Sequence, residues 1–143
     1  MKPLVIVAIA ALTILITGCE KEGCMNQSAV NFNADADVDD GSCTYESRTS
    51  FWFNEYISNW LSVNYGVTLL SVYLDDVLVG TMNPTDWKVG PDCGGGNFTV
   101  TSIHGGAITK SFTYQVRDQS GNLQFDGTIN NTANECKSVE LVW

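Results

Sequence analysis

The chain has 143 residues, with 16 acidic against 7 basic side chains and a net charge of −9 when its single histidine is neutral. That balance excludes nucleic acid as a partner, because a phosphate backbone has to be met by Lys and Arg, and it excludes docking on anionic lipid headgroups. A 44% hydrophobic content in a chain of this length suits one modest core with a small extra module.

The first residues read as a leader. Met1-Lys2-Pro3 carries one positive charge, and Leu4 to Ile16 is apolar apart from the hydroxyl of Thr13. A run of that length is a signal-peptide core, since a spanning helix needs about 20 apolar residues. It ends in Ile16-Thr17-Gly18-Cys19. This resembles the lipobox of bacterial lipoproteins, an aliphatic residue and two small ones before a cysteine. The resemblance implies diacylglycerol on the Cys19 sulfur, cleavage after Gly18 and acylation of the new amino terminus. Residues 1–18 are then a cleaved signal peptide, residues 19–23 a lipidated tether, and the membrane the first expected partner. Each buried methylene contributes about 0.8 kcal/mol, so several acyl chains hold a protein essentially permanently. Loss of Lys2 leaves six basic and sixteen acidic side chains on 125 residues, a net charge of −10. Glu20-Lys21-Glu22-Gly23 resembles the acidic surface-display signal of Bacteroidetes lipoproteins. The expected location is the cell envelope, as an outer-membrane lipoprotein, with the surface and periplasmic faces both open.

Residues 24–46 form a second unit. Gly23-Cys24-Met25-Asn26-Gln27-Ser28-Ala29-Val30-Asn31-Phe32-Asn33 leads into Ala34-Asp35-Ala36-Asp37-Val38-Asp39-Asp40-Gly41-Ser42-Cys43-Thr44-Tyr45. Both cysteines, the Asn-Phe-Asn, the Asp-Asp-Gly-Ser-Cys and the tyrosine resemble a short extracellular repeat of Bacteroidetes surface proteins. The segment is similar, more loosely, to the acidic calcium-binding repeats of thrombospondin type 3. Ca²⁺ takes six to eight oxygen ligands, and Asn33, Asp35, Asp37, Asp39 and Asp40 supply hard oxygens at close spacing. The register is not that of an EF-hand, because counting from Asp35 the glycine arrives at the seventh position, Gly41. Two readings stand side by side: a Ca²⁺ site, the one cofactor in view, or a solvated acidic spacer.

Setting Cys19 aside leaves Cys24, Cys43, Cys93 and Cys136, which in an exported chain read as two disulfides with three connectivities. Two flank the acidic segment and two lie far along the chain, so Cys24–Cys43 and Cys93–Cys136 are the local choice. Neither pair has CxxC spacing and His104 is the only histidine, which argues against zinc and against a redox dithiol.

From residue 47 to 143 the pattern is β-rich. Thr49 to Phe53 reads as a strand dense in aromatics. Phe53, Tyr56, Ile57, Trp60 and Leu61 fall at helical spacing, so a short helix is expected within Asn54 to Asn64. Val67 to Leu74 and Val77 to Met82 read as strands joined by a tight turn at Asp75-Asp76. Asn83 to Asp86 and Gly90 to Asn97 read as loops, and Phe98 to Ile103 as a strand. Then Phe112, Tyr114 and Val116, next Leu123, Phe125, Gly127 and Ile129, and last Val139, Leu141 and Trp143 alternate with polar residues. Turns are expected at Asp118 to Asn122 and at Asn130 to Glu135. Alternation with one apolar face is the pattern of half-buried antiparallel strands. Six or seven such strands make the expected fold all-β, a small antiparallel β-sandwich.

The hairpin Val72 to Thr81, the Pro91-Asp92-Cys93-Gly94 loop, and Phe125-Asp126-Gly127-Thr128-Ile129 followed by Cys136 resemble small lipoprotein β-domains of the same bacteria. The resemblance implies a transthyretin-like or carboxypeptidase-regulatory-like sandwich. Asp76 stands where the hairpin has glycine, which leaves a different or longer turn open, and Phe125-Asp126 stands where Trp-x is usual.

Catalytic chemistry is hard to draw from these residues. His104, before Gly105-Gly106, reads as a turn residue. Gly94-Gly95-Gly96 lacks the Lys-Ser/Thr of a phosphate loop. Asp75-Asp76 are adjacent in a turn rather than poised across a cleft. The expectation is therefore a non-enzymatic binding or structural protein of the envelope, with an envelope protein or a glycan as partner. Trp52, Tyr56, Trp60 and Trp87 are candidates for a sugar-stacking platform if exposed and for core if buried. A calcium-dependent adhesion module is the further alternative.

Overall fold

The computed structural model describes residues 20–143. The leader expected over residues 1–18 and the expected lipidation site Cys19 lie outside the described residues.

Seven strands from Thr44 onward make two sheets. β1 (Glu22–Gly23) and β2 (Val38–Asp39) belong to the acidic repeat and pair only with each other. After them come β3 (Thr44–Trp52), the helix α1 (Glu55–Asn59) running into a π-helical turn (Trp60–Asn64), β4 (Leu70–Leu74) and β5 (Val77–Met82). β6 (Phe98–Gly105), β7 (Thr109–Asp118), β8 (Leu123–Thr132) and β9 (Cys136–Glu140) complete the chain. One sheet has the order β5-β4-β7-β8 and is antiparallel throughout; the other has the order β6-β3-β9. The all-β sandwich is thus present, with one departure from a purely antiparallel design: β9 runs parallel to β3, Arg48 opposite Cys136 and Trp52 opposite Glu140.

Both sheets contribute to one apolar core. Leu70, Val72 and Leu74 of β4, Phe112 and Val116 of β7, and Phe125 and Ile129 of β8 meet Phe51, Phe53 and Leu141 across the gap. Ile57 and Leu61 close one end. Within β4, β7 and β8 these residues fall an even number of positions apart, as two-residue periodicity requires. Full burial of each large side chain contributes about 1.5–3 kcal/mol. Phe98 on β6 lies directly over Gly80 on β5, where a Cβ would sit 2.3 Å from its ring.

Asp75-Asp76 is a two-residue hairpin turn, with φ of +46° and +63°. Left-handed conformation at both positions is the primed turn that matches strand twist. Aspartate tolerates it, and here Asp75 Oδ1 also accepts from Thr113 N (2.9 Å) and Thr113 Oγ1 (3.1 Å) on β7.

Both disulfides join the pairs read from the sequence, Cys24–Cys43 and Cys93–Cys136, with Cα separations of 4.8 and 5.7 Å. The first sits in a small core of its own with Ala29 and Tyr45, against which Ala133 packs. The repeat is ordered by burial more than its small spacers Ala34, Ala36 and Val38 suggested, because Cys24, Ala29, Cys43 and Tyr45 supply the apolar surface. β3 begins inside the repeat, at Thr44 rather than near Thr49, and runs unbroken into the sandwich. Tyr45 pairs with His104 of β6, and their rings stack 6.0 Å apart.

Candidate functional site

The acidic segment is held by its own side chains. Asn33 Oδ1 accepts from Asp35 N (3.0 Å), Asp39 Oδ1 from Gly41 N (3.1 Å) and Asp40 Oδ1 from Ser42 N (2.9 Å). Asp37 Oδ2 accepts from Lys21 N at 3.4 Å. The first three are turns in which a short polar side chain satisfies a backbone amide two residues on. The Ser42 side chain first, and the Ser42 backbone N–H second, hold the Asp40 carboxyl below its ordinary pKa. Asn31 stitches the repeat to the second cysteine, donating to Ser42 O (2.7 Å) and accepting from Thr44 N (2.8 Å). Among the described residues no three Asp, Glu, His or Cys side chains converge as a metal would require. Asn33, Asp39 and Asp40 thus hold turn amides, while Asp35 and Asp37 lie on the same exposed segment.

His104 is on β6, not in the turn that follows it. Its ring is buried at 1% exposure, Nδ1 lies 2.7 Å from Ala107 O, and Nε2 has no protein partner. Its ring packs on Tyr45 and Phe112; Ser47, Thr49, Ser102 and Asn131 are also buried, and Asn131 donates to Thr49 Oγ1 at 2.9 Å. The ring is closed off from solvent. The triple glycine also has a structural task. A Cβ on Gly96 would lie 2.6 Å from Phe51 O, so the loop lies flat against β3, and Gly96 N donates to Ser50 Oγ (3.1 Å).

One feature with room for a ligand is aromatic. Asn54 caps α1, its Oδ1 accepting from Ile57 N at 3.0 Å. Ser58 Oγ donates to Pro84 O (2.8 Å) and fixes the helix against the loop after β5. Ile57, Ser58 and Leu61 face inward, which leaves Tyr56 and Trp60, four residues apart, on the outer face. The helix then widens into the π turn, and Tyr65 N donates to Trp60 O at 3.1 Å. That extra residue per turn sets Tyr65 beside Trp60, with ring centroids 5.3 Å apart. Trp143 completes the group. Its Nε1 donates to Gln124 O (3.2 Å), its ring stacks on Phe125 at 5.5 Å, and it meets Trp60 edge-on at 6.0 Å.

Tyr56, Trp60, Tyr65 and Trp143 line an open recess of about 240 Å³. Three of the four are well over half exposed: Tyr56 64%, Tyr65 62% and Trp143 59%. Of the platform candidates, Tyr56 and Trp60 are therefore brought together, whereas Trp52 and Trp87 do not line the recess. A second recess, of about 170 Å³, is lined by Glu46, Ser47, Arg48, Thr101, Asn134 and Glu135. It lies where backbone bonds from Asn134 N to Glu46 O (2.7 Å) and from Arg48 N to Glu135 O (2.9 Å) tie the β8–β9 turn to β3. Among the described residues no helix is long and apolar enough to cross a membrane. No protein-family model, no curated protein and no solved structure matches the chain.

Proposed function

We propose that this chain is a lipid-tethered protein of the bacterial cell envelope, whose β-sandwich is a non-enzymatic binding domain with the aromatic recess as its binding surface. The observation that carries the reading is the exposure of three of the four rings in one recess. Aromatic side chains contribute to folding by burial. A contiguous group held in water by a capped helix, a π turn and an indole hydrogen bond is instead the mark of a contact surface. π turns within helices recur at functional sites, where they move one side chain out of helical register.

The tether is supported by the charge, length and lipobox of residues 1–19. The Cys24–Cys43 repeat serves as a compact spacer between the tether and the sandwich. Glycan capture is the second reading, favoured by the same exposed rings. The test is to follow the indole N–H resonances of Trp60 and Trp143 in the full-length chain while pooled small molecules and oligosaccharides are added. Shifts concentrated at these two indoles are expected. Ligands whose shifts map wholly elsewhere, around Trp87 for instance, would overturn the assignment.

A further inference from the structure

We infer that the recess is an aromatic cage for a quaternary ammonium group, the trimethylammonium of choline-type or betaine-type molecules. This rests on the recess being the binding surface, and it names the chemistry of what binds there.

The rings are set at angles to one another rather than as a platform. Trp60 and Trp143 lie at 79°, Tyr56 and Trp60 at 61°, and Trp60 and Tyr65 at 33°. Trp60 is the common neighbour, with centroids at 5.3, 6.0 and 6.4 Å to the other three. Such a group bounds a rounded recess and does not offer the broad flat face on which a sugar ring stacks.

The polar inventory points the same way. A ligand rich in hydroxyls needs placed donors and acceptors, because each polar group it buries without a partner costs binding energy. The four lining residues offer only phenol and indole groups, and the Trp143 indole N–H is already given to Gln124 O. A primary ammonium or a guanidinium would lose hydrogen-bonded water with no carboxylate or amide among the lining residues to replace it. A quaternary ammonium has no N–H to satisfy. It is held by the negative faces of the rings, an attraction that grows when the cation is desolvated.

Charge complementarity selects the sign. No Lys or Arg lines the recess. The whole chain carries sixteen acidic against seven basic side chains, so its field attracts cations and repels anions.

The test uses the full-length chain in a polyoxyethylene detergent, which has neither a choline nor a sugar headgroup. Tryptophan fluorescence is titrated with choline, glycine betaine, ethanolamine, the neutral isostere 3,3-dimethyl-1-butanol, cellopentaose and maltopentaose. Saturable binding of choline or betaine is expected, with the isostere at least about tenfold weaker, since the two differ only in charge. The variant of choice is Tyr65, which lines the recess and is the exposed neighbour of Trp60. Tyr65→Leu should weaken choline about tenfold and Tyr65→Phe by less than about twofold.

Flotation of the full-length Cys19→Ala chain with phosphatidylcholine or phosphatidylglycerol vesicles separates a lipid-borne from a free ammonium. Binding to the former alone assigns the headgroup, and choline binding without flotation assigns a soluble ligand. An isostere that binds as well as choline, or choline binding indifferent to Tyr65→Leu, overturns the cage. Oligosaccharide binding lost in Tyr65→Leu, with choline inert, overturns the cage and leaves the recess as the binding surface. Tryptophan signals unmoved by every ligand would bring both down.

Discussion

Replacing Cys93 and Cys136 by serine should cost this fold more than replacing Cys24 and Cys43. On the chain-entropy estimate a disulfide stabilises by restricting the unfolded chain, and the effect grows with the logarithm of the loop it closes. A sequence separation of 43 gives about 4 kcal/mol, and one of 19 gives about 3 kcal/mol. The long bridge also organises the native state. β9 pairs only with β3, and Cys136 is its first residue. The Pro91–Gly96 loop that carries Cys93 is otherwise tied down by Ser138 Oγ donating to Pro91 O (3.2 Å) and by Gly96 N donating to Ser50 Oγ (3.1 Å). For a domain of this size about 4 kcal/mol corresponds to a fall in Tm of roughly 15 °C. The assay is urea and thermal unfolding of the two double-serine variants beside the parent under non-reducing conditions, with the urea slope checked for two-state behaviour. A Cys93→Ser/Cys136→Ser variant that loses less than about 4 °C, or less than the Cys24→Ser/Cys43→Ser variant, would refute the loop-length reasoning.

Four further outcomes are expected. The Asp118 carboxylate accepts from Asn122 Nδ2 (3.0 Å), Asn122 N (2.9 Å), Ser120 N (2.8 Å) and Gln124 Nε2 (3.0 Å). The Asn122 side chain, first among these, holds its pKa below the ordinary 3.8. A depressed folded pKa gives stability that is full above the ordinary value and lost as pH falls through the folded one. The Tm gap between wild type and Asp118→Asn should therefore be widest at neutral pH and close below 3.8 in acid melts. Gly96→Ala should destabilise by about 1–3 kcal/mol through overpacking, whereas Gly105→Ala, with nothing within 4 Å of the new Cβ, should stay within about 0.5 kcal/mol by urea unfolding. Cys19→Ala should leave the protein soluble or unprocessed and without the palmitate-analogue label that wild type takes; equal mature membrane fractions for variant and wild type would sink the tether. Millimolar Ca²⁺ should leave Tm unchanged, because Asn33, Asp39 and Asp40 already hold turn amides, and a rise abolished by Asp37→Asn would show that the acidic side chains regroup around the ion.

Strands with a clean apolar face were legible in the sequence. β5 matches its expected span of Val77 to Met82, and Val72 and Leu74 share the buried face of β4 as read. β3 was read late because its inward residues before Phe51 are Tyr45, Ser47 and Thr49, which look like a polar stretch although all three are buried. The parallel pairing of β9 with β3 joins residues some 88 apart, and local patterning says nothing about such a partner. The recess was half visible. Tyr56 and Trp60 follow from helical spacing, but α-helical spacing sets residue 64 over Trp60, and only the π turn shifts that place to Tyr65. Trp143 continues the alternation of Val139 and Leu141, yet β9 ends at Glu140, so its ring is free to leave the core and lie on Phe125.

The unbroken run of β3 out of the repeat has a mechanical consequence. A load applied at the N-terminal end of the chain bypasses residues 25–42, because the Cys24–Cys43 bond is a covalent short circuit across them. The pull then arrives at Thr44 and is directed along the central strand of a three-stranded sheet. There it is shared among eight residue pairs with β6 and five with β9. Backbone bonds loaded along the strand direction must fail together rather than one at a time, as a zipper would. The point where the repeat meets the sandwich is thus also where the sandwich best resists being drawn apart.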